Sequence, residues 1–197
     1  MRTPLAVFFN RLLVCLLAVG FWQIGEGLWI YAKAGLAQLL LQRAWSRTLA
    51  GETGLKPWPW ADTWPVARLT VPALGVDQIV LNGAYGRTLA FGPGYVESSA
   101  QPGENGTTIL TGHRDTHFSF LKDLQAADRL ILQFADGTHK GYRVRDRRIV
   151  HATRDSIPLR DEGRQLALMT CYPFASPMSG TQWRYLVMAE GESEPVN

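Results

Sequence analysis

The chain has 197 residues, 46% of them hydrophobic and 19% charged, with 19 glycines and 11 prolines. That length suits one domain plus one extra element, and the composition excludes disorder, collagen-like repeats and a disulfide-dense scaffold. The net charge of +3 is uneven: residues 1–50 hold five Lys/Arg against Glu26, and the remainder holds 15 against 16 acids. A nearly neutral main domain offers no basic surface for phosphates, so nucleic acid is excluded as a partner.

From Leu12 to Ala32 the sequence reads LLVCLLAVGFWQIGEGLWIYA, 21 residues whose single charge is Glu26. About 20 mostly apolar residues cross a bilayer core. Residues 1–34 therefore read as an uncleaved membrane anchor, a transmembrane helix with Trp22, Trp29 and Tyr31 suited to an interfacial belt. Glu26 counts against this, because an acid at membrane depth is costly without a partner. Ala32-Lys33-Ala34 has the small-x-small spacing of a signal-peptidase site, so cleavage after Ala34 is the rival reading. The long apolar run from Gln23 favours the anchor. Arg2 and Arg11 flank one end and Lys33, Arg43 and Arg47 the other, so charge gives no orientation.

Residues 35–56 follow as a juxtamembrane amphipathic helix and linker. Leu36, Leu39, Leu40 and Trp45 fall at helical spacing among Gln38, Gln42, Arg43 and Arg47. Such a helix either lies on the membrane surface or continues the anchor. GETGLKPWPWADTWPV (51–66) sustains neither helix nor central strand and marks the boundary of a domain over residues 57–197. Trp58, Trp60 and Trp64 read as packing over the domain surface in preference to ligand stacking.

Within that domain Arg68–Val71, Val76–Leu81, Thr107–Thr111, Arg129–Phe134, Tyr142–Val150, Gln165–Cys171 and Tyr185–Ala189 read as strands. Ala135-Asp136-Gly137-Thr138 reads as a hairpin turn. Phe118–Asp128 reads as the domain's one helix, with Phe118, Leu121 and Leu124 on a common face. Arg143, Arg145 and Arg147 alternate on one solvated strand face. Many short strands with little helix predict a mainly β fold, a closed barrel of about eight strands with short helices, preceded by the transmembrane helix.

Cys15 sits in the anchor, so Cys171 is the domain's single thiol. It ends the apolar run LALMTC and is followed at once by Tyr172-Pro173, which stops the strand. His113 ends another strand, in Thr111-Gly112-His113-Arg114-Asp115. Two strand ends can set an imidazole beside a thiol, the pairing that nucleophilic cysteine catalysis needs. If Gln165–Cys171 and Arg184–Ala189 pair as a wide hairpin, Arg184 falls nearly opposite Cys171 on the same face. A buried packing cysteine is the plain alternative. Asp115 and His117 read as cap and first-turn residues of the helix, or as groups that orient His113. Arg114 reads as a substrate contact or a surface ion pair. No cluster has zinc spacing, no acidic cluster suggests calcium, and the glycine runs match no phosphate loop.

These residues resemble the sortase family, the membrane-anchored cysteine transpeptidases of bacteria, over about residues 57–190. TGHRDTHF with His113, LALMTC with Cys171 and Trp183-Arg184-Tyr185 stand in the family's order. Met169 occupies a place where Leu or Val is usual. The Pro-Trp-rich lead-in, His-Arg-Asp-Thr-His and Cys-Tyr-Pro-Phe look most like the Gram-negative, marine proteobacterial branch. The resemblance implies cleavage of an LPxTG-like C-terminal sorting signal between Thr and Gly, through a thioester on Cys171, with transfer to an amine acceptor that the sequence does not name. It implies His113 as general acid and base, Arg184 as oxyanion or backbone donor, and Arg114, Thr170 and Tyr172 at the substrate. It implies no cofactor, and a single-pass protein of the inner membrane with its catalytic domain on the periplasmic side. The rivals are a membrane-anchored β-barrel binding module with an idle thiol and an L,D-transpeptidase-like acyltransferase. The latter ranks low, since those enzymes place Ser-x-Gly before the Cys and an Arg two residues after it.

Overall fold

The computed structural model describes residues 4–157, 159–176 and 180–192. The chain divides into two units, Met1–Leu39 and Leu40–Asn197. One helix, α1 (Pro4–Leu49), contributes to both.

In the first unit, apolar side chains from Leu12 to Tyr31 are exposed around the helix, Phe21, Trp22 and Tyr31 among them. A helix that is apolar all round has no watery face to present, and this one is long and apolar enough to cross a membrane. Lys33 Nζ sits 5.5 Å above the Trp29 ring.

The segment after Ala34 is the same helix continued, and its apolar face is covered by protein. Leu41 and Trp45, one turn apart, are buried with Ile79 and Leu81, and Trp58 and Phe91 pack against them. Trp58 meets Phe91 edge-on at 4.8 Å, whereas Trp60 is exposed. The helix stops where Gly51 takes φ +97°, a left-handed conformation that glycine adopts without strain, and its amide caps the Thr48 carbonyl at 2.9 Å.

The second unit is a closed eight-stranded barrel in the order β1-β2-β3-β4-β7-β8-β6-β5. Its strands are β1 (Pro65–Val71), β2 (Val76–Asn82), β3 (Gly94–Tyr95), β4 (Gly106–Thr111), β5 (Arg129–Phe134), β6 (His139–His151), β7 (Arg164–Tyr172) and β8 (Trp183–Gly191). Seven fall on the runs expected from sequence. The eighth, β3, has two residues in a Gly/Pro-rich stretch with no alternation to mark it, and the four-residue helix α2 (Gly86–Leu89) is equally unmarked. The β5–β6 turn is the expected Ala135–Thr138, with Asp136 Oδ1 accepting from the Thr138 amide at 2.9 Å. Pairings are antiparallel except β2–β3 and β4–β7, which are parallel. Leu69, Leu110, Leu132, Tyr142, Leu168 and Val187 fill the interior.

The helix expected over Phe118–Asp128 is absent; the segment forms a 3₁₀ turn, Ser119–Lys122. Phe118, Leu121 and Leu124 are all fully buried, and their strict spacing of three is the 3₁₀ repeat, not the α one. Asp128 Oδ2 takes the Gln125 amide at 2.7 Å and Ala127 adopts φ +69°, which ends the turn. The three alternating arginines do not keep one face, because β6 bulges between Val144 and Asp146. Arg143 and Arg145 are exposed and pair with Glu192 and Glu190.

Replacing Trp45 with Ala is expected to cost about 3–5 kcal/mol in denaturant unfolding. A fragment beginning at Leu40 is expected to outlast one beginning at Leu55, which leaves Ile79 and Leu81 uncovered. Equal unfolding midpoints would contradict this packing.

Candidate active site

The site begins with the parallel pairing of β4 and β7. Thr111 stands beside Met169 at the end of the ladder, and His113 and Cys171 each follow two residues later. Parallel strands run out at the same edge of a sheet, so both side chains belong to one end of the barrel. Two hydrogen bonds prolong the seam past the ladder. The Gly112 amide donates to Met169 O at 3.3 Å, and Thr170 Oγ1 donates to Gly112 O at 2.7 Å. Gly112 itself has no room for a side chain, since a Cβ would lie 2.9 Å from the Phe118 ring. The residue before His113 is thus clamped between a buried aromatic ring and a buried hydroxyl.

β7 and β8 supply the second relation. Cys171 and Arg184 are direct partners in the antiparallel ladder, the pairing expected from sequence, and Val150 of β6 is the next residue across. Directly opposed residues share a face. Along β7 the alternation is clear: Leu166 and Leu168 belong to the interior core, Ala167 to a separate cluster with Ile109 and Leu186. Met169, Val150 and Ile157 pack against that second cluster. Cys171 and Arg184 therefore stand at the edge of an apolar face on the outside of the barrel, with Ile157 of the β6–β7 connection over it. Cys171 is a free, half-buried thiol and His113 is exposed. Arg184 is half-buried, its Nη1 donating to Thr181 O and, at 2.9 Å, to Trp183 O.

The remaining residues expected at the substrate flank Cys171 and His113 in the chain and are held by contacts within the protein. Thr170 is 1% exposed and its hydroxyl is committed to Gly112 O. Tyr172 stacks on Tyr185 at 6.3 Å, and Phe174 meets Tyr185 edge-on at 5.2 Å. Phe174 and Tyr185 also pack on the interior core, which closes that end of the barrel. Arg114 is 7% exposed, and its Nη2 donates to Ser176 O at 2.8 Å. Asp115 caps no helix; its carboxylate lies 3.3 Å from Arg114 Nε, and the amide of Phe118 bonds His113 O at 2.9 Å. His117 is half-buried, and its carbonyl accepts from Gln78 Nε2 at 2.8 Å. Burial holds its imidazole below the usual value, partly offset by a hydrogen bond to the Ala90 backbone, with His113 lowering it further.

Sequence gave no sign of Gln78, Ser176 or the His151–Trp183 pair, whose rings meet edge-on at 5.0 Å beside Tyr172. Gln78 and His151 come from segments remote in the chain, and nothing local marks the partners that Ser176 and Trp183 take. Among the described residues no group of three His, Cys, Asp or Glu is placed to hold a metal.

A sortase-domain family model matches residues 69–192. The chain belongs to the sortase family. Sortase D of Bacillus subtilis (strain 168) is 34% identical over 122 residues, 60% of this chain and 60% of that protein. Sortase A from Corynebacterium diphtheriae shares 21% identity and superposes with a TM-score of 0.61, covering 81% of this chain and 84% of that one. A Clostridium perfringens Sortase D5 transpeptidase, also 21% identical, gives 0.57 over 66% and 80%. The family match and these likenesses establish the sortase fold for the barrel.

Thr170→Val keeps the shape and removes the hydroxyl, leaving the Gly112 carbonyl unmet. It is expected to cost about 1–3 kcal/mol, read in denaturant unfolding, and an unchanged midpoint would refute the clamp. His117, whose folded value lies below the usual 6.5, takes up a proton more readily when unfolded. Its contribution to stability is therefore complete above pH 6.5 and lost as the pH falls below it. His117→Phe is expected to flatten the acid limb of a stability-versus-pH curve; an unaltered limb would contradict the assignment.

Proposed function

We propose that this sortase is a membrane-anchored cysteine transpeptidase in which Cys171 is the nucleophile, His113 the acid–base group and Arg184 the electrostatic donor. The observation that carries this reading is the direct pairing of Cys171 with Arg184 on one strand face, with His113 two residues beyond the adjacent parallel strand. The chain's free thiol outside the helical anchor thus lies next to a fixed cation at a sheet edge.

The chemistry follows from those groups. The thiolate is the nucleophilic form of cysteine, and His113 takes the thiol proton of Cys171 as the attack begins. The sulfur of Cys171 attacks the Thr carbonyl carbon of an LPxTG-like signal, and the carbonyl electrons move to oxygen. Arg184, whose Nη1 is tied to loop carbonyls, turns its other donors to that oxyanion. The oxyanion collapses, the C–N bond to Gly breaks, and His113 protonates the leaving amine. The product is a Cys171 thioester. An incoming amine then gives its proton to His113 and its lone pair to the thioester carbon, which expels the thiolate and forms the new amide.

Residues 1–34 serve as the anchor in this reading, supported by the exposed apolar helix. The inner membrane, with the domain on the periplasmic side, is proposed from the likeness of TGHRDTHF and Cys-Tyr-Pro-Phe to the Gram-negative branch. The acceptor amine and the substrate protein follow from that branch only as classes.

Intact-mass spectrometry of the full chain with a pool of LPxTG-like peptides tests this. The expected result is a mass gain equal to the peptide through its Thr, absent in Cys171→Ala. Arg184→Ala is expected to slow acylation by about 10²–10³-fold, the cost of losing an oxyanion donor. No adduct, with Cys171 alkylated slowly and indifferently to His113, would point instead to a binding module.

A further inference from the structure

Arg114 follows His113 directly, yet its side chain is only 6% exposed. Burying a guanidinium is costly unless its donors are met. Here Nε faces Asp115 Oδ1 at 3.3 Å and Nη2 donates to Ser176 O at 2.8 Å. The Asp115 side chain is 69% exposed, so that ion pair lies largely in water and is weak. The bond to Ser176 is of another kind, because it joins segments 62 residues apart.

Ser176 lies in the connection that leaves Cys171 and returns to Arg184. The β4–β7 ladder ends at Thr111 and Met169. Beyond it, the Gly112 amide and the Thr170 hydroxyl fix the residue before His113 against β7. Arg114 holds the residue after His113, and holds it to the loop beyond Cys171. His113 is exposed between these two attachments. An arginine at a substrate subsite would keep its fork open to the ligand; this one turns inward and binds a carbonyl of its own chain. A lysine could not do the same, since its point charge cannot set two donors at a fixed angle to two acceptors.

We propose that Arg114 is a positioning residue that locks the His113 loop to the loop following Cys171, and that it does not contact the peptide. The proposal rests on the reading of Cys171 and His113 as nucleophile and acid–base partner. Proton transfer between them needs hydrogen-bond reach, and misplacement by about 1 Å costs on the order of 10²-fold in rate.

The test uses full-length protein: wild type, His113→Ala, Arg114→Met and Arg114→Lys. Two measurements are made on each, the rate of Cys171 alkylation by iodoacetamide across pH and the steady-state turnover of a sorting peptide. Arg114→Met is expected to shift the alkylation profile toward that of His113→Ala. Its kcat should fall about 10²-fold while KM holds, and Arg114→Lys should lie between. A wild-type profile for Arg114→Met overturns the proposal, as does a raised KM at unchanged kcat, which would make Arg114 a peptide contact. If Arg114→Met does not fold, Arg114→Lys decides: an intermediate profile supports the lock and a wild-type profile overturns it. If wild type forms no acyl adduct and its alkylation ignores His113, the transpeptidase reading fails and this one with it. A wild-type adduct beside an unshifted Arg114→Met profile rejects the role of Arg114 alone.

Discussion

The site depends on one ladder ending where it does. β4 and β7 are parallel, and Thr111 and Met169 close the pairing. Parallel neighbours need a crossover between them, and the chain supplies it with the β5–β6 hairpin, which forms the far wall of the barrel. Two segments 58 residues apart are thereby delivered to the same edge, and the bond from Thr170 to Gly112 stitches them there. A slip of one residue along this seam would move His113 relative to Cys171 and also turn Cys171 to the opposite face.

The same strands carry two environments because side chains alternate. On β7, Leu166 and Leu168 face the interior, while Ala167 and Met169 face the outer cluster. Cys171 continues the outer series and Thr170 the inner one. The half-buried thiol is consequently displayed on the outer face, while its neighbour one residue away is buried and anchors the loop. On β8, Arg184 is outward and Tyr185 inward, where its ring joins Tyr172 and Phe174. Display and support come from adjacent residues of one strand.

Alternation also explains what was legible in the sequence. Seven strands, the Ala135–Thr138 turn and the barrel class could be read because period-two patterns and turn residues are local. The pairing of Cys171 with Arg184 was accessible too, since a wide hairpin has few registers. Phe118, Leu121 and Leu124 misled, because a spacing of three serves both helix types over so short a run. The burial of Arg114 was hidden for a different reason. An arginine beside His113 carries no local sign of burial, and its partner Ser176 is supplied by tertiary structure alone. The bulge at Val144 and Asp146 was equally invisible, since it concerns how β6 meets β8 and not the composition of β6.

These two kinds of information differ in how much change they tolerate. Interior positions such as Leu69, Leu132 and Val187 need only volume and apolarity, and conservative exchanges there cost less than about 1.5 kcal/mol. Barrels of this type can therefore share 21% identity and still superpose over four fifths of their length. The seam admits no such freedom. At Gly112 even a methyl group would meet the Phe118 ring at 2.9 Å, and at Thr170 an apolar isostere leaves a buried carbonyl unmet. The barrel is specified by a degenerate pattern and the site by a few exacting contacts at the end of one parallel pair, so the two can vary independently.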